Sequence, residues 1–139
     1  MPVAVAHNAR PEGRSAVTAA LEWARVHDTS LLVLHVEETG LSGTAGVPAA
    51  ESGVRAVEQE VAQVVAELAG EAAPEWQVVS TTSAGDIASA LVQLATTHGA
   101  ELLVVGSRRR SEIGKFLMGR TLQRVLLDSP VPVLVVKHA

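Results

Sequence analysis

Residues 31–36 read Leu31-Leu32-Val33-Leu34-His35-Val36. This is an apolar run broken only by His35, too short for a buried helix and without polar alternation. It predicts a strand covered on both faces. Its neighbours show a different period. Upstream, Val17, Ala20, Leu21 and Ala24 share one helical face, and Pro11 with Glu12 suits a helix's first turn, so a helix is predicted over about 11–26. Downstream, Val54, Val57, Val61, Val64, Val65 and Leu68 recur at helical spacing. Between them, residues 39–50 carry Gly40, Gly43, Gly46 and Pro48, the composition of a flexible loop.

The same alternation covers the rest of the chain. Val3 to Ala6 is a short first strand and Trp76 to Val79 a weaker one. Asp86 is placed to cap a helix carrying Ile87, Leu91 and Leu94, which stops near Gly99. Leu102 to Val105 is another buried strand ending at Gly106, and residues 107–118 read as a polar loop. Leu122, Val125 and Leu126 mark a short helix closed before Pro130, and Val131 to Val136 a last strand. The order β-α-β-α-β-α-β-α-β predicts one α/β domain over 1–139, a parallel sheet with helices on both faces and right-handed crossovers.

Composition narrows the function classes. The 139 residues are 47% apolar and 19% charged, a globular balance. No cysteine is present, which removes disulfides, thiolate metal sites and thiol nucleophiles. Aromatic residues are 2% and the net charge is −4, which disfavours nucleic acid as a partner. No apolar run approaches the ~20 residues of a membrane span, and no signal peptide is visible. The expectation is a cytoplasmic protein that engages neither membrane nor nucleic acid.

Charge is unevenly placed. Six of the eleven basic residues fall between 108 and 124, namely Arg108, Arg109, Arg110, Lys115, Arg120 and Arg124. Residues 37–101 hold ten acidic residues and Arg55 as the single base. Gly106, Gly114 and Gly119 frame the basic cluster. A glycine-rich turn running into a helix N-terminus, with arginines alongside, is the pattern of a phosphate site. It is equally the pattern of a solvated basic loop. Gly114-Lys115 is no P-loop, because Arg109 holds the first glycine position and Phe116 the Ser/Thr position. His7, His27, His35, His98 and His138 show no metal-ligand spacing. His35 reads as a hydrogen-bonded core histidine, whereas His7, at the end of the first strand, lies near the presumed site. No Ser/His/Asp constellation stands out, and efficient catalysis is not expected. The last strand, nearly free of charge, would be an aggregation hazard at a sheet edge. Pairing with a second copy would cover it.

Three stretches together resemble the universal stress protein family. They are Val3 to Ala6 with Pro11 to Ala16, Leu32 to Val36, and Val104-Val105-Gly106-Ser107 … Gly119-Arg120-Thr121-Leu122 … Ser129-Pro130-Val131 to Val136. Gly85-Asp86 resembles the opening of the family's third helix. The resemblance implies a five-stranded parallel sheet in the order 3-2-1-4-5. It also implies a homodimer through the last strands (131–136) and binding of ATP or a related adenine nucleotide, with magnesium. The family's signature is Gly-x-x-Gly, nine residues, then Gly-Ser/Thr. Gly106 and Gly119 match its first and third glycines, Val105 the hydrophobic residue before it, and Val36 the adenine-side position. Arg109 replaces the second glycine, Arg120 the Ser/Thr, with Thr121 next, and Asn8 the usual ribose-side Asp. The resemblance therefore implies a nucleotide site at Asn8, Val36, Val105, Gly106, Arg109, Gly119, Arg120 and Thr121, with a degenerate motif. It implies a regulatory module in a stress response, with slow hydrolysis or autophosphorylation at most. Two other readings stay open. One is a dimeric interaction protein whose arginines meet acids such as Glu12 or Glu112. The other is a binder of a different phosphate-containing anion.

Overall fold

The computed structural model describes residues 1–7, 11–38, 49–68, 73–83, 85–108 and 120–138. The elements follow in the order β1 (Val3–Ala6), α1 (Pro11–Val26), β2 (Leu31–Glu38), α2 (Ala49–Leu68), β3 (Trp76–Ser83), α3 (Ile87–Thr97), β4 (Leu102–Arg108), α4 (Arg120–Asp128) and β5 (Val133–His138). The strands form one sheet in the order β3-β2-β1-β4-β5, and every pairing is parallel.

Each face of the sheet carries its own core, as the two-residue strand period requires. On one face Val3, Val5, Leu31, Val33, Leu102 and Val104 pack with Val17, Leu21, Val57, Val61 and Val64 of α1 and α2. On the other, Ala4, Leu32, Leu34, Leu103 and Val105 pack with Leu91 and Ala95 of α3 and Leu122 and Val125 of α4. The valines of α2 have modest helix propensity. They hold the helix through burial, since Val57, Val61 and Val64 are all nearly inaccessible. Asp86 caps α3 as expected, its side chain accepting from the Ser89 N–H at 3.1 Å. The chain leaves that helix through Gly99 at φ +67, a conformation glycine adopts without strain.

Several boundaries differ from the sequence expectation. β2 runs to Glu38 and β3 to Ser83, because the polar ends of these two strands pair with each other as far as Glu38–Ser83. β4 continues to Arg108 against β5, so the segment after it begins later than residue 107. β5 starts at Val133, leaving Pro132 just outside the strand, where its missing N–H costs no internal ladder bond. α2 begins at Ala49, inside the segment read as loop; residues 39–48 lie outside the described residues.

The unequal strand lengths shape the carboxyl end of the sheet. β1 ends at Ala6, level with Leu34, and β2 continues four residues beyond Leu34. On the other side Val104 pairs with Val5, so Val105 is level with Ala6 and β4 continues three residues beyond it. At about 3.3 Å per residue, β2 rises some 13 Å and β4 some 10 Å above the end of β1. The result is a notch with β1 as floor, the β2–β3 pair as one wall and the β4–β5 pair as the other. It stands where the strand order reverses, the position at which open α/β sheets take ligands.

Candidate functional site

Three of the described candidate residues, Val36, Val105 and Gly106, lie on the walls of this notch. Val36 lies on the β2 wall and packs against the α3/α4-side core. Val105 and Gly106 lie on the β4 wall, level with and just above the floor. Arg120 and Thr121 open α4 and are exposed. Exposure at Arg120 leaves its guanidinium able to meet an anion from solvent. Asn8, Arg109 and Gly119 lie outside the described residues.

Gly106 has a structural reason of its own. A Cβ there would stand 2.1 Å from the Glu12 main-chain oxygen and 2.7 Å from its carbonyl carbon. The first turn of α1 therefore rests directly on the β4 backbone. The close approach that glycine permits at this position is made by the protein's own helix.

Glu12 is consequently held against the β4 wall. It is 6% exposed, and its Oε2 has no hydrogen-bond partner among the described residues. The expectation that it pairs with an arginine is not met by any described residue. A carboxylate in a first turn complements the helix dipole, but an orphaned buried oxygen costs about 1–3 kcal/mol.

A polar cluster that the sequence reading did not assemble lies beside the floor, beneath α2. His7 follows β1 and its Nε2 is 2.8 Å from Glu60 Oε2 of α2. His35 and Glu37 stand two apart on β2, hence on one face, with Nε2 and Oε1 2.7 Å apart. Both contacts require Nε2 to carry the proton it donates. The two rings meet edge to face at 6.0 Å. Gly53 of α2 lies over the second pair: a Cβ there would be 2.0 Å from Glu37 Oε1 and 3.0 Å from His35 Nε2. His35 is thus hydrogen-bonded, as expected, but half-buried. The His7 side chain is 8% exposed and engaged with Glu60, which positions it to seat α2 on β1. Among the described residues no group of three or more His, Asp or Glu side chains could hold a metal ion. Also among them, no helix is long and apolar enough to cross a membrane.

With the fold and the notch established, comparison with known proteins supplies the class. Residues 1–137 match the model of the universal stress protein family. A universal stress protein of Mycolicibacterium smegmatis is 37% identical over 137 residues, covering 97% of this chain and 96% of that protein. The chain therefore belongs to the universal stress protein family. A second relative, from Thermus aquaticus, is 27% identical over 97% of both chains. Among solved structures, a universal stress protein from Archaeoglobus fulgidus superposes with a TM-score of 0.77 at 22% identity, covering 99% and 98% of the two chains. Another, solved in complex with cAMP, gives 0.74 at 22% identity over 100% and 98%. The Archaeoglobus fulgidus protein in complex with dAMP gives 0.71 at 18% identity over 99% and 98%.

Proposed function

We propose that this chain is an adenine-nucleotide-binding regulatory module of the stress response, with the nucleotide seated in the notch above β1. The observation that carries this reading is the notch itself, a step at the strand-order reversal with Val36 on one wall and Val105–Gly106 on the other. Apolar groups there would face the base, and the exposed start of α4, with Arg120 and Thr121, would face the phosphates. The likeness to structures solved with cAMP and dAMP supports a nucleotide as the ligand class. ATP, with its magnesium, is the first nucleotide to test. The chain's role is to bind and to report occupancy, not to turn substrate over rapidly; slow hydrolysis or autophosphorylation is the most chemistry this reading assigns.

The working form on this reading is a homodimer paired through residues 131–136, in the cytoplasm. β5 is an edge strand, and Val133 to Val136 are only half-buried in the single chain. Leu127 of α4 is 83% exposed. Covering that edge with the same strand of a second copy would join the two sheets and remove an aggregation-prone border. Sedimentation equilibrium should give twice the chain mass; a monomer at micromolar concentration would remove the dimer from this account.

The test of the nucleotide reading is thermal unfolding with ATP and magnesium, with adenosine and tripolyphosphate as controls. A ligand at a hundred times its dissociation constant stabilises by about 2.7 kcal/mol, a shift of several degrees for a domain of this size. A larger shift with ATP than with tripolyphosphate is expected. Equal shifts would mean a general anion site built by the arginines. No shift with either would leave a dimeric interaction protein that takes no nucleotide.

A further inference from the structure

The sheet has a second edge, β3, which among the described residues pairs with β2 alone. The Leu31 N–H donates to the Glu75 carbonyl oxygen at 2.8 Å, and Leu31 is level with Trp76. Along a strand in a parallel ladder, successive residues bond to opposite sides. Gln77, Val79, Thr81 and Ser83 therefore turn their main-chain groups toward β2, whereas Trp76, Val78, Ser80 and Thr82 turn theirs outward. Among the described residues no strand meets the outward groups. Natural edges are blunted by short length, charge, proline or bulges. β3 runs for eight residues, Trp76–Ser83, with no charged residue and no proline. Val78 on one face of the sheet and Val79 on the other are only partly covered. The surroundings select the occupant. β3 lies within residues 37–101, which hold ten acidic residues and Arg55 as the single base. Glu58 and Glu67 of α2, which packs on β3, are exposed, as is Glu75 just before the strand. A second copy paired through the same edge would set like charges against each other, and a segment carrying lysines or arginines would not.

We infer that the β3 edge docks an extended, basic segment of a partner protein, which joins the sheet as one more strand. The main-chain groups of Trp76, Val78, Ser80 and Thr82 would bond to it. Side chains on one face of the segment would extend the cover of Trp76 and Val78, and its cationic groups would meet the acidic surround. This docking does not depend on what occupies the notch.

The test is binding of a fluorescein-labelled peptide of alternating lysine and valine to the full-length protein, read by anisotropy and by amide hydrogen exchange. In the free protein the amides of Val78, Ser80 and Thr82 should exchange quickly and those of Val79 and Thr81 slowly. Bound peptide should slow the first set by about tenfold or more and leave the second nearly unchanged. Ser80→Pro removes an outward donor without breaking the β2–β3 ladder, and should weaken the peptide about tenfold, the loss of one hydrogen bond. Ser80→Lys keeps the backbone and sets a like charge on the edge. It should weaken the peptide too, and it carries the test if the proline variant does not fold. No anisotropy change at millimolar peptide overturns the inference. Equal binding of the same peptide with N-methylated amides also overturns it, since that peptide is attracted by charge but cannot pair as a strand. So does protection that appears along β5 instead of β3. Outward amides already protected in the free protein would show that the edge is covered by this chain or by a second copy, and would overturn it as well.

Discussion

Gly53 of α2 and Glu37 of β2 are in such close register that a methyl group on the glycine would fall 2.0 Å from the carboxylate Oε1. That oxygen is the one bonded to His35 Nε2. The helix is therefore seated on a hydrogen-bonded pair, and the seat is shaped by the absence of a side chain.

Gly53→Ala is expected to be mildly destabilising, by less than about 1 kcal/mol. Alanine improves helix propensity by up to ~1 kcal/mol, while the displaced Glu37 loses a hydrogen bond of similar size. The two effects separate in a cycle: in a Glu37→Ala background the same Gly53→Ala change should become stabilising. Urea denaturation of the four proteins measures this. A Gly53→Ala effect of the same size and sign in both backgrounds would show that the glycine does not act through Glu37.

Gly106→Ala should cost far more, about 2–3 kcal/mol or beyond. Its added carbon meets main-chain atoms of Glu12, not the tip of a flexible side chain. Relief requires moving α1 off β4, which is overpacking of a rigid contact. The loss should be present in nucleotide-free protein. A variant as stable as the wild type without ligand would show that α1 yields easily at this point.

Asp86 accepts from the Ser89 N–H and also lies 3.3 Å from Arg124 Nη1 of α4. Both partners of the ion pair are about half exposed. Asp86→Ala should cost about 1 kcal/mol through the lost cap. Arg124→Ala should cost under about 0.5 kcal/mol, because exposed pairs contribute little. Equal losses from the two variants would place the stabilisation in the ion pair instead.

The exposed Arg25 on α1 donates a hydrogen bond to Glu22, which holds the Glu22 carboxyl below its ordinary value. A depressed folded value means the contribution is complete above the ordinary glutamate range, about 4.3, and is lost as pH falls through the folded value. Glu22→Gln should therefore unfold slightly below the wild type at neutral pH, and the two thermal midpoints should converge on acidification. A gap that widens toward low pH would contradict this sign.

The two periodicities made the architecture legible. Runs such as Leu31–Leu34 and Leu102–Val105 leave no polar position for solvent, so they had to be strands covered on both faces. The polar strand ends were less legible. Ser80 to Ser83 carry no apolar signal, and they are strand because β2 is already there to pair with them. The pairing of His35 with Glu37 follows from a spacing of two on a strand. The pairing of His7 with Glu60 does not, since it depends on the register of α2 over β1 across 53 residues. Gly106 shows a different limit. A glycine at a strand end announces that something comes close, but not what; here it is the backbone of α1.

The stepped end of the sheet has a consequence for how this domain can diversify. Because β1 stops short, the opening above it spans two inter-strand spacings, roughly 9.5 Å between the β2 and β4 backbones. At its base that gauge is set by main-chain hydrogen bonding, because β1 pairs with both β2 and β4 there. Variation along the rim can change which chemical groups are welcomed, at positions such as 12, 36 or 120. Change along the rim can therefore alter the character of the opening while its width at the base stays with the sheet.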